Sequence, residues 1–307
     1  MRILMLHGYA QTGDIFRRKT RRLVDEIRDA HPRATFVWPD GPIRLRTSDI
    51  PGFNAGEYDG LADEIVELRA WFHLRDVSEP PLGLLDSLTA TAHILQSEGP
   101  FDGVVAFSQG TVVAGMVASL LEGVERWQAH CTASHRSTKL MEYPPIFRTL
   151  QHPPFKFGVM YAGRVGRGRY FDWLYENPRI STPFCVLWGK WDPMVDADER
   201  DAAWSRLSTE QGSCMLIHNG GHYVPTDTES TECVSGFIVS ATDRKQQAIQ
   251  LGTTAIGIES TPIDPYALTE RLVALSLSLG RGRRVIVREE KTFTKDTHCA
   301  ALDRSAI

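Results

Sequence analysis

The chain has 307 residues, 42% of them hydrophobic and 23% charged, with a formal net charge of −4 and a pI near 6.2. That is enough apolar material for one large domain, with or without an appendage, and it offers no electrostatic basis for nucleic acid or an anionic membrane as the main partner. No apolar stretch approaches the ~20 residues of a membrane span, and five cysteines, an odd number without paired spacing, suit reduced thiols in a cytoplasmic protein.

In chain order, Arg2 to Leu6 reads as a strand; it runs into His7-Gly8 with no cleavage-site pattern for a leader. The polar loop from His7 to Gly13 follows, then an expected single helix from Asp14 to Ala30, capped by Asp14, with Phe16, Leu23, Val24 and Ile27 on one face. Its other face carries Arg17, Arg18, Lys19, Arg21 and Arg22: a solvated face on the simplest reading, a landing patch for an acidic carrier protein on the sharper one. Ala34 to Trp38 is a second strand, ended by the turn Pro39-Asp40-Gly41-Pro42.

Periodicity then fades over about 43–82, apart from a short helical pattern at Leu61 to Trp71, and Trp71 with Phe72 gives this insertion the apolar inner side of a lid. Leu84 to Gln96 is helical. Phe101 to Phe107 is a strand, and the run from Val112 to Leu121 is apolar nearly all round, as a central buried helix would be. A second irregular insertion spans about 122–154; its His130, Cys131 and His135 have no further ligand pair at metal spacing, so no metal is expected. Strands follow at Phe155–Ala162, Pro183–Gly189 and Ser213–His218, with helices at Asp198–Thr209 and Thr226–Ser240. Continuous apolar strands alternating with helices imply a parallel sheet covered on both faces. Residues 241–307 differ in character, with an amphipathic piece at Pro265–Leu279 and an alternating Val285-Ile286-Val287, and carry no assignable chemistry.

Chemistry concentrates at three strand exits. Ala106-Phe107-Ser108-Gln109-Gly110, between a strand and a helix, has the layout of a nucleophile elbow, with Ala106 where the pattern G-x-S-x-G has its first glycine. Asp192 follows the strand ending at Gly189, and His222 follows the strand ending at His218. Serine, acid and histidine thus appear in the order an α/β-hydrolase uses. Ser108 would be the nucleophile, His222 its base and Asp192 the orienting carboxylate, with Asp196 and Asp198 as alternatives on the same loop. The backbone N–H groups of Gln109 and Tyr9 are the expected oxyanion donors.

The segments Leu6 to Gly13, Gly99 to Gly103 leading into Phe107-Ser108-Gln109-Gly110, and His218 to Pro225 resemble the FSH family of serine hydrolases, as do Pro39 to Pro42, Arg69 to Phe72 and His152 to Phe157. The likeness spans about residues 1–240. It implies a compact α/β-hydrolase domain there, built on a six-stranded, mostly parallel sheet with helices on both faces and lid-like insertions, followed by a C-terminal extension over 241–307. It also implies esterase or thioesterase activity without a cofactor and, in fungal biosynthetic clusters, release of an acyl or polyketide chain from an acyl carrier protein domain of a synthase. A short-chain carboxylesterase and a non-catalytic binding module are the alternatives. Trp71, Phe72 and Tyr223 are the candidate substrate-pocket or lid residues.

Overall fold

The computed structural model describes residues 1–50, 65–74, 81–137, 139–166, 168–176, 178–207 and 212–252. Its strands are β1 (Arg2–Leu6), β2 (Thr35–Val37), β3 (Ile43–Arg46), β4 (Ile65–Ala70), β5 (Gly103–Phe107), β6 (Phe157–Tyr161), β7 (Phe184–Gly189) and β8 (Cys214–His218). Its helices are α1 (Gly13–Lys19), α2 (Arg21–Ala30), α3 (Leu84–Glu98), α4 (Gln109–Leu120), α5 (Val124–Ser134), α6 (Asp172–Tyr175), α7 (Ala197–Leu207) and α8 (Thr228–Gly252). They belong to a unit running from Met1 to Thr253. The elements expected at 265–279 and 285–287 lie outside the described residues.

Six strands form one sheet in the order β2-β1-β5-β6-β7-β8, and all five pairings are parallel. Strand side chains alternate between faces, and the core divides accordingly. Leu4, Leu6, Val104, Ala106, Met160 and Val186 point into a cluster shared with Leu88, Val113, Val117 and Leu174. Ile3, Met5, Val105, Phe107, Val159, Tyr161 and Leu187 point into the opposite cluster, with Phe16, Leu23, Ile27, Val234 and Ile238. Thus α3, α4 and α6 cover one face, and α1, α2 and α8 the other. All twelve residues of α4 are buried, and burying each of its larger apolar side chains contributes about 1.5–3 kcal/mol.

Four local expectations are corrected. The segment from Asp14 to Ala30 is two helices, because the buried Thr20 bonds its own hydroxyl to Phe16 O at 2.8 Å and closes α1. The N-cap of α1 is Thr12, whose hydroxyl accepts from Ile15 N at 3.1 Å; Asp14 instead pairs with Arg17 and Arg18. Residues 65–70, expected within a helix, form strand β4, paired antiparallel with β3 and bridged to Gln11. The second insertion contains a regular helix, α5, whose Arg126 is fully buried and donates to Trp173 O at 2.9 Å and Pro178 O at 2.8 Å.

Two buried histidines make the fold acid-sensitive. His7 Nε2 accepts from Gly41 N and His152 Nε2 from Phe101 N, both at 2.8 Å, so the ring proton of each sits on Nδ1, 2.7 Å from Gly8 O and Pro153 O respectively. Both rings must be neutral to accept, and burial lowers both pKa values below 6.5. The unfolded chain therefore binds more protons below pH 6.5; the stabilisation is complete above that pH and is lost as pH falls toward the depressed folded-state values. Melting temperature is expected to be level from pH 8 to 7 and to drop between 6.5 and 5, with a shallower drop in His152→Gln. Melting that does not change with pH over that window would refute this account.

Candidate active site

The order of strands reverses between β1 and β5, and the C-terminal ends of strands at such a switch point are where open parallel sheets place their sites. Ser108 leaves β5 there with φ +49° and ψ −117°, a conformation that L residues rarely adopt. Its N–H is held by Tyr161 O at 2.9 Å. Two glycines make the turn possible: a Cβ at Gly110 would lie 2.6 Å from both Leu6 O and His7 O, and one at Gly8 would lie 2.7 Å from the Phe107 ring. Ala106 is different. It sits inside β5 between Leu6 and Met160 with its methyl buried in the core, so the elbow accommodates a Cβ at this position.

The second and third strand exits meet the first. His222 Nε2 is 2.8 Å from Ser108 Oγ, and His222 Nδ1 is 2.8 Å from Asp192 Oδ2 and 3.0 Å from Oδ1. The Asp192 side chain is fully buried and the His222 ring one-fifth exposed, resting 5.2 Å from the Phe107 ring. Asp192 Oδ1 also accepts from Met194 N at 2.8 Å and Val195 N at 3.1 Å, which fixes the carboxylate plane. Asp196 is occupied elsewhere, accepting from Glu199 N at 2.7 Å at the start of α7. The loops bearing Asp192 and His222 are sewn together by Lys190 N to His218 O at 2.9 Å and Trp191 N to Gly220 O at 2.8 Å. Gly189 permits that approach, since a Cβ there would lie 2.3 Å from Gly221 O.

Among the described residues, the backbone N–H groups of Tyr9 and Gln109 donate no hydrogen bond. The loop after β1 is held by a network that sequence reasoning missed. Trp71 Nε1 donates to His7 O at 2.8 Å, His7 accepts from Gly41 N, and the buried Gln109 side chain accepts from Trp71 N at 2.8 Å and donates to Phe72 O at 2.7 Å. Trp71 and Phe72 are 0% and 8% exposed, in the core beneath the loop after β1; much of the insertion expected to form a lid lies outside the described residues. The indole N–H itself was the signal, because a buried Trp needs an acceptor. Tyr223 is half exposed and folds back on its own loop, its ring 5.2 Å from that of His218. His130 stacks in an aromatic group with Trp127 and Trp173.

The arrangement can move a proton from Ser108 through His222 against a buried carboxylate. The family described as Serine hydrolase (FSH1) matches residues 1–234. The chain belongs to this serine hydrolase family. It is 26% identical over 269 residues to a Schizosaccharomyces pombe protein named dihydrofolate reductase, covering 85% of this chain and 52% of that one. It is 25% identical over 248 residues to zebrafish (Danio rerio) esterase OVCA2, covering 78% of this chain and 96% of that one. Against two S. pombe relatives the chain spans about half their length, 52% and 50%. Among solved structures it resembles Arabidopsis thaliana SOBER1, with a TM-score of 0.51 at 14% identity over 79% of this chain and 99% of that one. At that identity the likeness speaks to the α/β-hydrolase fold alone. Among the described residues, no helix is long and apolar enough to cross a membrane.

Proposed function

We propose that this member of the serine hydrolase family cleaves acyl thioesters or esters through an acyl-enzyme on Ser108. The observation that carries the reading is the 2.8 Å approach of His222 Nε2 to the hydroxyl of a serine held at positive φ, with Asp192 on the other ring nitrogen. Ser108 Oγ attacks the acyl carbonyl as His222 takes its proton; His222 returns that proton to the departing thiol or alcohol, and water repeats the sequence to free the acid. Asp192 keeps the ring proton on Nδ1 and stabilises the imidazolium. The N–H groups of Gln109, at the start of α4, and Tyr9 receive the oxyanion. No cofactor enters the scheme.

The finer reading is a thioesterase that releases an acyl or polyketide chain from an acyl carrier protein. In its support, α1 starts at Gly13, directly after the loop holding Tyr9, and the side chains of Arg17, Arg18 and Arg21 are 63%, 68% and 86% exposed; set against Asp14 and Asp25, with which they pair, they leave this surface net positive toward an acidic carrier. Matched thioesters and oxygen esters of rising chain length test it. We expect kcat/KM at least tenfold higher on the longer thioesters, and Arg17→Glu with Arg18→Glu raising KM for carrier-bound acyl chains but not for free thioesters. Similar rates on both ester types with a maximum at acetyl would assign a short-chain carboxylesterase instead.

A further inference from the structure

Three cysteines remote in sequence converge on the α8 face of the sheet. Cys185 of β7 and Cys214 of β8 are direct partners across the parallel pair, and Cys233 of α8 lies over them; the three sulfurs are all within 4.8 Å of one another. Cys185 is fully buried in the cluster of Leu187, Val234 and Phe237, while Cys214 and Cys233 are partly exposed beside it, at the edge strand. An ion thus has a path in from one side and an apolar wall on the other.

We propose that Cys185, Cys214 and Cys233 form a three-coordinate thiolate site for a soft monovalent d10 ion, copper(I). Thiolate sulfur is the ligand that soft ions select over oxygen and nitrogen. Three sulfurs each about 2.3 Å from a common ion stand about 4 Å apart, so the cluster needs to contract by less than about 1 Å. The number of ligands argues against a closed structural zinc site. Among the described residues no fourth His, Cys, Asp or Glu atom joins the three, whereas a structural zinc site takes four protein ligands. Binding releases the thiol protons to solvent, so affinity rises with pH.

The ion would clamp the frame of the active site without touching substrate. Cys185 lies on the strand that leads to Asp192, and Cys214 and Cys233 bracket the loop carrying His222. The test uses full-length protein with Cys131→Ser and Cys299→Ser, leaving these three thiols, titrated with copper(I) anaerobically under a phosphine reductant and a competing bicinchoninate chelator. One copper(I) per chain, a near-ultraviolet thiolate-to-copper absorption and a raised melting temperature are expected, with affinity at least 100-fold lower in Cys233→Ser. Circular dichroism confirms that the variant is folded, and Cys214→Ser supplies the same reading if it is not. Equal copper affinity in the three-thiol protein and either variant would overturn the proposal, as would uptake of zinc with no uptake of copper(I).

Discussion

Ser108→Ala is expected to lower kcat by about 10⁴- to 10⁶-fold and to abolish labelling by a fluorophosphonate probe, with little change in melting temperature. The separation of activity from stability follows from the contacts. Ser108 Oγ has His222 as its hydrogen-bond partner, while the backbone bond from Ser108 N to Tyr161 O survives the substitution. Alanine meets the same steric objection at φ +49° as serine, so the elbow keeps its shape and loses only its nucleophile. Residual turnover well above the uncatalysed rate is expected, because the Gln109 and Tyr9 donors and the binding surface remain. Turnover within tenfold of the parent, or labelling that persists in the variant, would leave the chain as a hydrolase fold used for binding.

The parallel sheet was legible because its strands are continuous apolar runs separated by helices, and the three strand exits stood out as polar, glycine-bounded loops. What escaped reading depends on partners distant in the chain. Strand β4 has apolar residues at spacings that also suit a helix, and only pairing with β3 and the bridge to Gln11 decides for strand. Helix α5 was hidden by a charge on its inner face: Arg126 is fully buried, paired with Glu122 and bonded to two carbonyls of the α6 region, a polar solution to a core position that hydrophobic periodicity cannot register. At the candidate site the order of serine, acid and histidine was visible, with Asp192 favoured over Asp196 and Asp198 because Asp-Pro directly follows the strand exit. That choice is made by Asp196 accepting from Glu199 N and Asp192 turning inward under Met194 and Val195 N–H groups. The anchoring bond of Trp71 was hidden for the same reason: its acceptor, His7 O, lies 64 residues away.

Asp192→Asn is expected to cost about 10⁴-fold in kcat with a small change in KM. The size follows from how the carboxylate is held. Asp192 Oδ1 accepts two backbone N–H groups, so an asparagine there would keep its carbonyl oxygen on Met194 and Val195 and turn its NH₂ toward His222 Nδ1. A donor facing Nδ1 forces that nitrogen to accept, which moves the ring proton to Nε2. His222 Nε2, 2.8 Å from Ser108 Oγ, would then carry a proton and could not take another from the serine. Ground-state binding does not use this proton, so the loss falls on kcat. Asp196→Asn is the matched control, since asparagine serves equally well in accepting from Glu199 N at the start of α7, and it should change kcat by less than about threefold. If the two variants lose activity equally, or if Asp192→Asn stays within tenfold of the parent, Asp192 does not set the tautomer of His222.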